Sequence, residues 1–174
     1  MKTMLRLTDR LMETIHVDLD RPHAFALERA GFLTCGVADL SGGDLCLYGA
    51  IYHPVADEDY EDDPRVAAML GAGAFRKILQ RIYSQPASVL HVHRHDHRGR
   101  PGPSITDARE SRRFVPNFWN VCPKHPHGTL ILSFDDLWGA LWIKPGNPIV
   151  ELDDYAVVGD RTKPYGGSLH AHPR

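Results

Sequence analysis

Between His91 and Asp107 the chain reads HVHRHDHRGRPGPSITD, which places His91, His93, His95 and His97 at every second position and then supplies Ser104 and Asp107. If Val89 to His95 is extended, a period of two sets His91, His93 and His95 on one face, where neighbouring imidazoles can converge on a single ion. Asp107 adds a carboxylate. Imidazole and carboxylate are both good zinc ligands, and a site with three protein ligands keeps a fourth position for water. The chemistry implied by these residue types at this spacing is hydrolysis at Zn2+.

The flanking pattern shows which elements must position these residues. MLRLT reads as a short first strand, after which Thr8 or Asp9 can cap a helix carrying Leu11, Ile15 and Leu19 on one face, with Pro22 as its breaker. GFLTCGVADL and LCLYGAIYHPV flank Gly42-Gly43 and predict a hairpin. The acidic run ADEDYEDD reads as a solvated loop. Asp63-Pro64 then predicts a helix start, with Val66, Met69, Leu70, Phe75, Ile78, Leu79 and Ile82 as its apolar stripe and an end near Gln85-Pro86. SVLHVHRH is the next strand, RGRPGP a loop, and Ser104 opens a charged helix reaching about Phe114. The chemistry-bearing segment therefore spans strand, loop and helix. GTLILSF and LWGALWI predict a second hairpin around Asp135-Asp136, and IVELDDYAVV a last strand. The expected fold class is α/β, a mixed curved β-sheet flanked by helices over residues 1–157. Residues 158–174 lack an apolar pattern and read as a flexible C-terminal tail, with His170 and His172 solvated.

A chain of 174 residues fits one domain that can bury a core without disulfide or metal support. A net charge of −2 and a pI near 6.6 give no bulk attraction for nucleic acid or anionic membrane, so neither is an expected partner. Cys35, Cys46 and Cys122 are odd in number and have no zinc-ribbon spacing, which reads as free thiols in a reducing interior. Charge interrupts the first twenty residues too often for a secretory signal or a membrane span, and a cytoplasmic location is the expectation.

Glu28 stands in Glu28-Arg29-Ala30-Gly31-Phe32-Leu33, just ahead of the second strand. The order of features is a glutamate opening a strand, HxH at the end of a later strand, and SxxD at a helix start. It resembles the JAMM motif of MPN-fold metalloproteases, with residues 28–33 similar to the ExxGxL opening of prokaryotic JAMM proteins and Ser104-Ile105-Thr106-Asp107 similar to their SxxD. By element order the resemblance covers roughly residues 5 to 150. It implies a single MPN-like (cytidine-deaminase-like) domain holding one catalytic zinc, Glu28 as general base, and Ser104 as the donor to the oxyanion. The implied reaction is hydrolysis of an amide or isopeptide bond beside the C-terminus of a ubiquitin-like modifier. Implied partners are that modifier or its conjugates, with the activating and conjugating enzymes of such systems, some of which are associated with phage defence. Processing of sulfur-carrier proteins is the nearest enzymatic alternative, and a noncatalytic MPN scaffold is the alternative from another class.

The spacing departs from the family in one respect. Its members usually place seven residues between the second histidine and the serine, whereas His95 leaves eight, His93 ten and His97 six. Pairing His93 with His95 needs one inserted residue and leaves a longer apolar strand before the first ligand. His91 with His93 is the alternative register. In the favoured one, His91 orients a ligand or a substrate carbonyl from one step earlier on the same face.

Plainer readings compete at each position. Ser104 with Asp107 also spells a helix capping box. Glu28 alone would be a solvated strand-end carboxylate, and alternating histidines could form a surface metal-scavenging face. Metallo-β-lactamase-like hydrolases use HxHxDH, but here the pattern is HxHxHDH in a chain short for that fold. His125 and His127, in a proline loop, read as structural, and Phe118, Trp119, Trp138 and Trp142 as core or groove aromatics. Substrate selectivity is expected near RGRPGP and in residues 115–128.

Overall fold

The computed structural model describes residues 1–159. Its strands are β1 (Thr3–Thr8), β2 (Ala30–Asp39), β3 (Leu45–Pro54), β4 (Tyr60–Glu61), β5 (Met69–Leu70), β6 (Ser88–Arg94), β7 (His127–Leu132), β8 (Leu137–Trp142), β9 (Val150–Glu151) and β10 (Asp154–Val158). The helices are α1 (Asp9–Leu19), α2 (Ala72–Ser84) and α3 (Ile105–Phe114), with 3-10 turns at Asp57–Asp59 and Val115–Asn120. The fold is mixed α/β, a single domain built on one sheet in the order β10-β1-β3-β2-β6-β7-β8-β9. Its two ends come close together. β9 pairs with β8 at one edge, and three residues later β10 pairs with β1 at the other. Across the join, Asp153 N donates to Thr3 O at 3.0 Å and Thr3 Oγ1 donates to Glu151 O at 2.9 Å. The expected single last strand is thus two, because Leu152 and Asp153 carry the chain across that gap.

Around β6 and β7 both faces of the sheet are buried. Inside the curl, Leu5, Leu33, Leu47, Leu90, Val92 and Leu130 pack against Met12, Ile15 and Leu19 of α1. On the outer face, Phe32 and Val89 pack against Ile78 and Ile82 of α2 and against Val115 and Phe118. α1 starts as its sequence implies, with Thr8 Oγ1 accepting from Leu11 N at 3.1 Å. The β2/β3 hairpin turns through Gly42 and Gly43 at φ of 87° and 81°, a left-handed conformation that a side chain would oppose. β7 and β8 pair around Asp135-Asp136 as expected.

The helix expected from Asp63-Pro64 instead begins at Ala72, capped by Gly71. Asp63 bonds the backbone and guanidinium of Arg65 and closes a local turn, and Met69–Leu70 pair with Tyr60–Glu61, so the stretch before α2 is extended. The helical period proper is Ala74, Ile78 and Ile82, all buried. The acidic run is not a plain solvated loop either. It holds the first 3-10 turn and β4, with Asp59 pairing to Lys77 at 2.6 Å and the buried Tyr60 hydroxyl accepting from Ala30 N at 2.8 Å. The boundary at residue 157 falls one residue short of the end of β10, while the remainder of the expected tail from residue 160, with His170 and His172, lies outside the described residues. Among the described residues, no helix is long and apolar enough to cross a membrane. Cys35, Cys46 and Cys122 are buried free thiols.

Gly31 answers a steric demand. A Cβ there would overlap the Tyr52 ring, whose hydroxyl donates to the buried Asp18 carboxylate at 2.8 Å. Gly31→Ala is expected to cost about 1–3 kcal/mol by overpacking, measured by denaturant unfolding. Gly36→Ala, where a Cβ would meet nothing within 4 Å, should be close to neutral. His127 supplies a second check. Its Nδ1 accepts from Val89 N at 3.1 Å and its Nε2 donates to Cys122 O at 3.0 Å, and burial pushes its pKa down from 6.5 to about 4. Between these values the unfolded chain binds a proton that the folded chain refuses, so stability falls as pH drops from 6.5 towards about 4. The denaturation midpoint should decline across that window, and His127→Gln should flatten the decline.

Candidate metal centre

β6 lies at the middle of the sheet, and its alternation decides where the histidines go. Leu90 and Val92 enter the inner core, while Val89, His91 and His93 face the outer layer. His95 lies one residue beyond the strand, its backbone N–H donating to Leu132 O at 2.9 Å. Asp107 arrives from the first turn of α3. There Ser104 Oγ accepts from Asp107 N at 3.1 Å and Ser104 N donates to Asp107 Oδ2 at 2.7 Å, a complete capping box. The box is therefore real, and it also holds the Asp107 carboxylate towards the histidines.

His93 Nε2 lies 3.3 Å from His95 Nε2 and 3.3 Å from Asp107 Oδ1, and His95 Nε2 lies 3.3 Å from Asp107 Oδ2. Among the described residues this is the one group of three or more histidine, cysteine or acidic side chains whose ligand atoms lie within 4.8 Å of one another. A tetrahedral zinc with bonds of about 2.0–2.1 Å sets neighbouring ligand atoms roughly 3.3–3.4 Å apart, close to these contacts, although the two histidines reach different oxygens of Asp107, and the donor set suits such a cation. One usual feature is missing. Histidine ligands commonly donate their other ring N–H, yet His93 Nδ1 is buried without a hydrogen-bond partner among the described residues.

His91 stays outside the group. Its ring packs against Phe32 and Phe114, with centroids 5.7 and 4.9 Å away, and burial, with His93 acting in the same direction, pushes its pKa down to about 3. His97 is exposed, with Nδ1 2.9 Å from Arg98 O. The geometry thus assembles the His93/His95 register, and neither His91 nor His97 joins it.

Glu28 is half-buried just ahead of β2 and lines the same cleft as His93 and Asp107. Two structures fix its backbone. Leu27 N and Glu28 N both donate to Ala67 O, at 2.8 and 3.3 Å. Next to it, the buried Arg29 guanidinium binds Arg21 O, Pro22 O and Asp57 Oδ1 at 2.8, 2.6 and 2.7 Å. Of the carboxylates that line the cleft, Glu28 and Asp107 are driven apart electrostatically. Burial raises Glu28 above the ordinary carboxylate range against the pull of His93 and His95. Burial works the same way on Asp107, but the hydrogen bond and charge of His93 and the hydrogen bonds of Ser104 outweigh it and hold that carboxyl well below the usual range.

The cleft itself, about 1620 Å³, runs between α2 and α3. Phe75, Leu79 and Tyr83 form one wall, Phe114 and Phe118 the other, and Met69 and Leu70 close one side. Selectivity was expected from residues 98–103, which contribute nothing to this lining, and from 115–128, of which Asn117, Phe118 and Val121 do. The stripe of α2 was visible as an amphipathic pattern, but the roles of Ala67 and Arg29 in holding Glu28 had no signal in the sequence.

No protein-family model matches this chain, and no curated protein does. Among solved structures, the STIL N-terminal domain of Trichoplax adhaerens superposes with a TM-score of 0.36 at 9% identity, over 79% of this chain and 40% of that one. The chain thus spans less than half of that neighbour's length, and a likeness this distant carries no argument about function.

The geometry predicts that His93→Ala, His95→Ala or Asp107→Asn lowers zinc affinity by more than the roughly 10–100-fold typical of outer partners. His91→Gln and His97→Ala should leave it within a few-fold. Elemental analysis together with chelator competition reads both.

Proposed function

We propose that the protein is a zinc-dependent isopeptidase or protease of the JAMM type, cutting a ubiquitin-like modifier from its target or trimming the modifier's precursor. The observation that carries this reading is that Glu28, from ahead of β2, shares one cleft with His93 of β6 and Asp107 of α3, and that His95, just past β6, groups with that pair. That is the combination the motif resemblance implies, assembled from three separate parts of the chain. The choice of a ubiquitin-like modifier rests on the resemblance alone.

His93, His95 and Asp107 would hold the ion, and a bound zinc supplies Lewis-acid polarisation of a carbonyl and a water whose pKa is lowered to about 7. Glu28 accepts the proton of the attacking water at a carboxylate oxygen and returns it to the leaving amine nitrogen. Its half-buried setting favours the protonated form once that transfer is made. Ser104 Oγ accepts from Asp107 N, and its hydroxyl proton, which bonds the Asp107 carboxylate at rest, would turn to a developing oxyanion, a contribution of about 3 kcal/mol for a well-placed donor. The apolar walls lower the local dielectric and strengthen each of these interactions.

Two features support a polypeptide as substrate. The cleft exceeds the roughly 300–1,000 Å³ usual for small-molecule sites. Leu27 and Ile105, 83% and 91% exposed, flank Glu28 and Ser104 and offer an apolar surface to a folded partner. Processing of a sulfur-carrier precursor would use the same chemistry on a different tail. In a noncatalytic scaffold, the 3.3 Å contacts among His93, His95 and Asp107 would serve only to hold β6 to α3.

The test incubates zinc-loaded protein with a ubiquitin-like protein fused at its C-terminal glycine to a reporter, and reads products by intact mass. Chelator-sensitive cleavage after that glycine, lowered at least about 100-fold in Glu28→Gln with zinc still bound, is the expected outcome. Bound zinc without cleavage would remove the modifier-protease reading, and absence of zinc binding would remove the metal centre itself.

A further inference from the structure

We infer that Arg94 is a positioning residue for the His93/His95 pair, fastening the end of β6 so that both imidazoles meet Asp107; the inference rests on the metal-centre reading. The last rung between β6 and β7 is Arg94 with Leu132, and the bond that closes it is His95 N to Leu132 O at 2.9 Å. That bond, with Phe134 N donating to His97 O at 3.0 Å, ties the backbone on the β7 side only, and side chains have to tie it towards α1.

Alternation sends Arg94 to the face opposite His93, where its side chain is only 8% exposed. Its Nη2 donates to Asp20 Oδ1 at the C-cap of α1 at 2.6 Å, and its Nε donates to Asp96 Oδ1 at 3.0 Å. The guanidinium carbon stands 4.9 Å from the centroid of the Phe134 ring, in the turn between β7 and β8. Asp20 and Asp96 are each 68% exposed, so core packing does not hold their side chains in place. Because Asp96 directly follows His95, the bond from residue 94 to residue 96 staples the backbone around the second histidine. The bond to Asp20 ties that staple to α1, and His97 N donating to His95 O at 2.9 Å tightens the same turn. A guanidinium can serve two carboxylates and a ring at once through its planar fork, whereas an ammonium cannot.

Electrostatics alone predicts the opposite effect, which makes the inference decidable. A fixed positive charge between two metal ligands in sequence repels a bound cation, so neutralising it would tighten binding if charge were all that mattered. Positioning predicts that binding weakens.

The experiment measures Zn2+ affinity by chelator competition and the visible absorption of the Co2+-substituted protein for the unsubstituted chain, Arg94→Met, Arg94→Lys and Tyr52→Phe. Tyr52→Phe removes a buried hydrogen bond to Asp18 and controls for loss of overall stability. Expected is a fall in affinity of about 10–100-fold for Arg94→Met, as for other groups that orient ligands. Arg94→Lys should fall less, both should show a weakened tetrahedral Co2+ signal, and Tyr52→Phe should melt earlier with affinity intact. Affinity unchanged or tighter in Arg94→Met would overturn the inference, as would an equal loss in Tyr52→Phe. If Arg94→Met does not fold, Arg94→Lys decides, since its charge is unchanged. Absence of metal binding by the unsubstituted protein would sink the metal-centre reading and this inference with it, whereas binding that ignores Arg94 sinks only the inference.

Discussion

A strand buried on both faces must satisfy two environments in alternate residues, and β6 is under that constraint along its whole length. Leu90 and Val92 fill the interior of the curled sheet at 0% exposure, and the residues between them are thereby committed to the helical side. A slip of one residue would drive imidazoles into a hydrocarbon core and leave leucine at the cleft, so the register is strongly specified. The positions of His91 and His93 are consequences of where the neighbouring apolar side chains have to go. Everything at the candidate centre is referred to this strand: Asp107 approaches it from α3, Glu28 from the segment entering the adjacent β2, and His95 continues it past the last rung of the ladder.

Local devices finish what the strand begins. The capping box at Ser104 satisfies orphan donors of α3 and at the same time fixes the orientation of the Asp107 carboxylate, one set of bonds with two results. On the opposite bank, Ala67 O and the Arg29 guanidinium together hold a loop that has no regular structure of its own. The two carboxylates then differ in character through their surroundings. Asp107, bonded to histidine and to a helix cap, is stabilised as an anion; Glu28, desolvated with fewer partners, is shifted toward holding a proton. Environment alone can thus give one functional group two characters, a held anion and a carboxyl inclined to keep its proton.

Much of this was legible in the sequence. The period of two in SVLHVHRH, the SxxD at a helix start, the glycines between β2 and β3, and the breaker after α1 all express local sterics and hydrogen bonding, which act over a few residues and leave a pattern. The failures came where a contact distant in sequence overrode such a pattern. Val66 to Leu70 has helical spacing, but pairing of β5 with β4 and the turn closed by Asp63 and Arg65 make it extended. IVELDDYAVV is uniformly strand-like, yet closure of the sheet divides it between two edges, an event governed by curvature that no short window contains.

The sequence by itself determined the residue types available for chemistry, the face on which β6 presents its histidines, and the capped helix that carries Asp107, because each follows from backbone periodicity and local donors and acceptors. Only the tertiary structure decided which pair of the four histidines meets Asp107, that Glu28 shares their cleft, and that α2 and the segment before it form the cleft's far wall. Those outcomes depend on distances between elements separated by tens of residues, and such distances are set by how the two cores pack around one curled sheet.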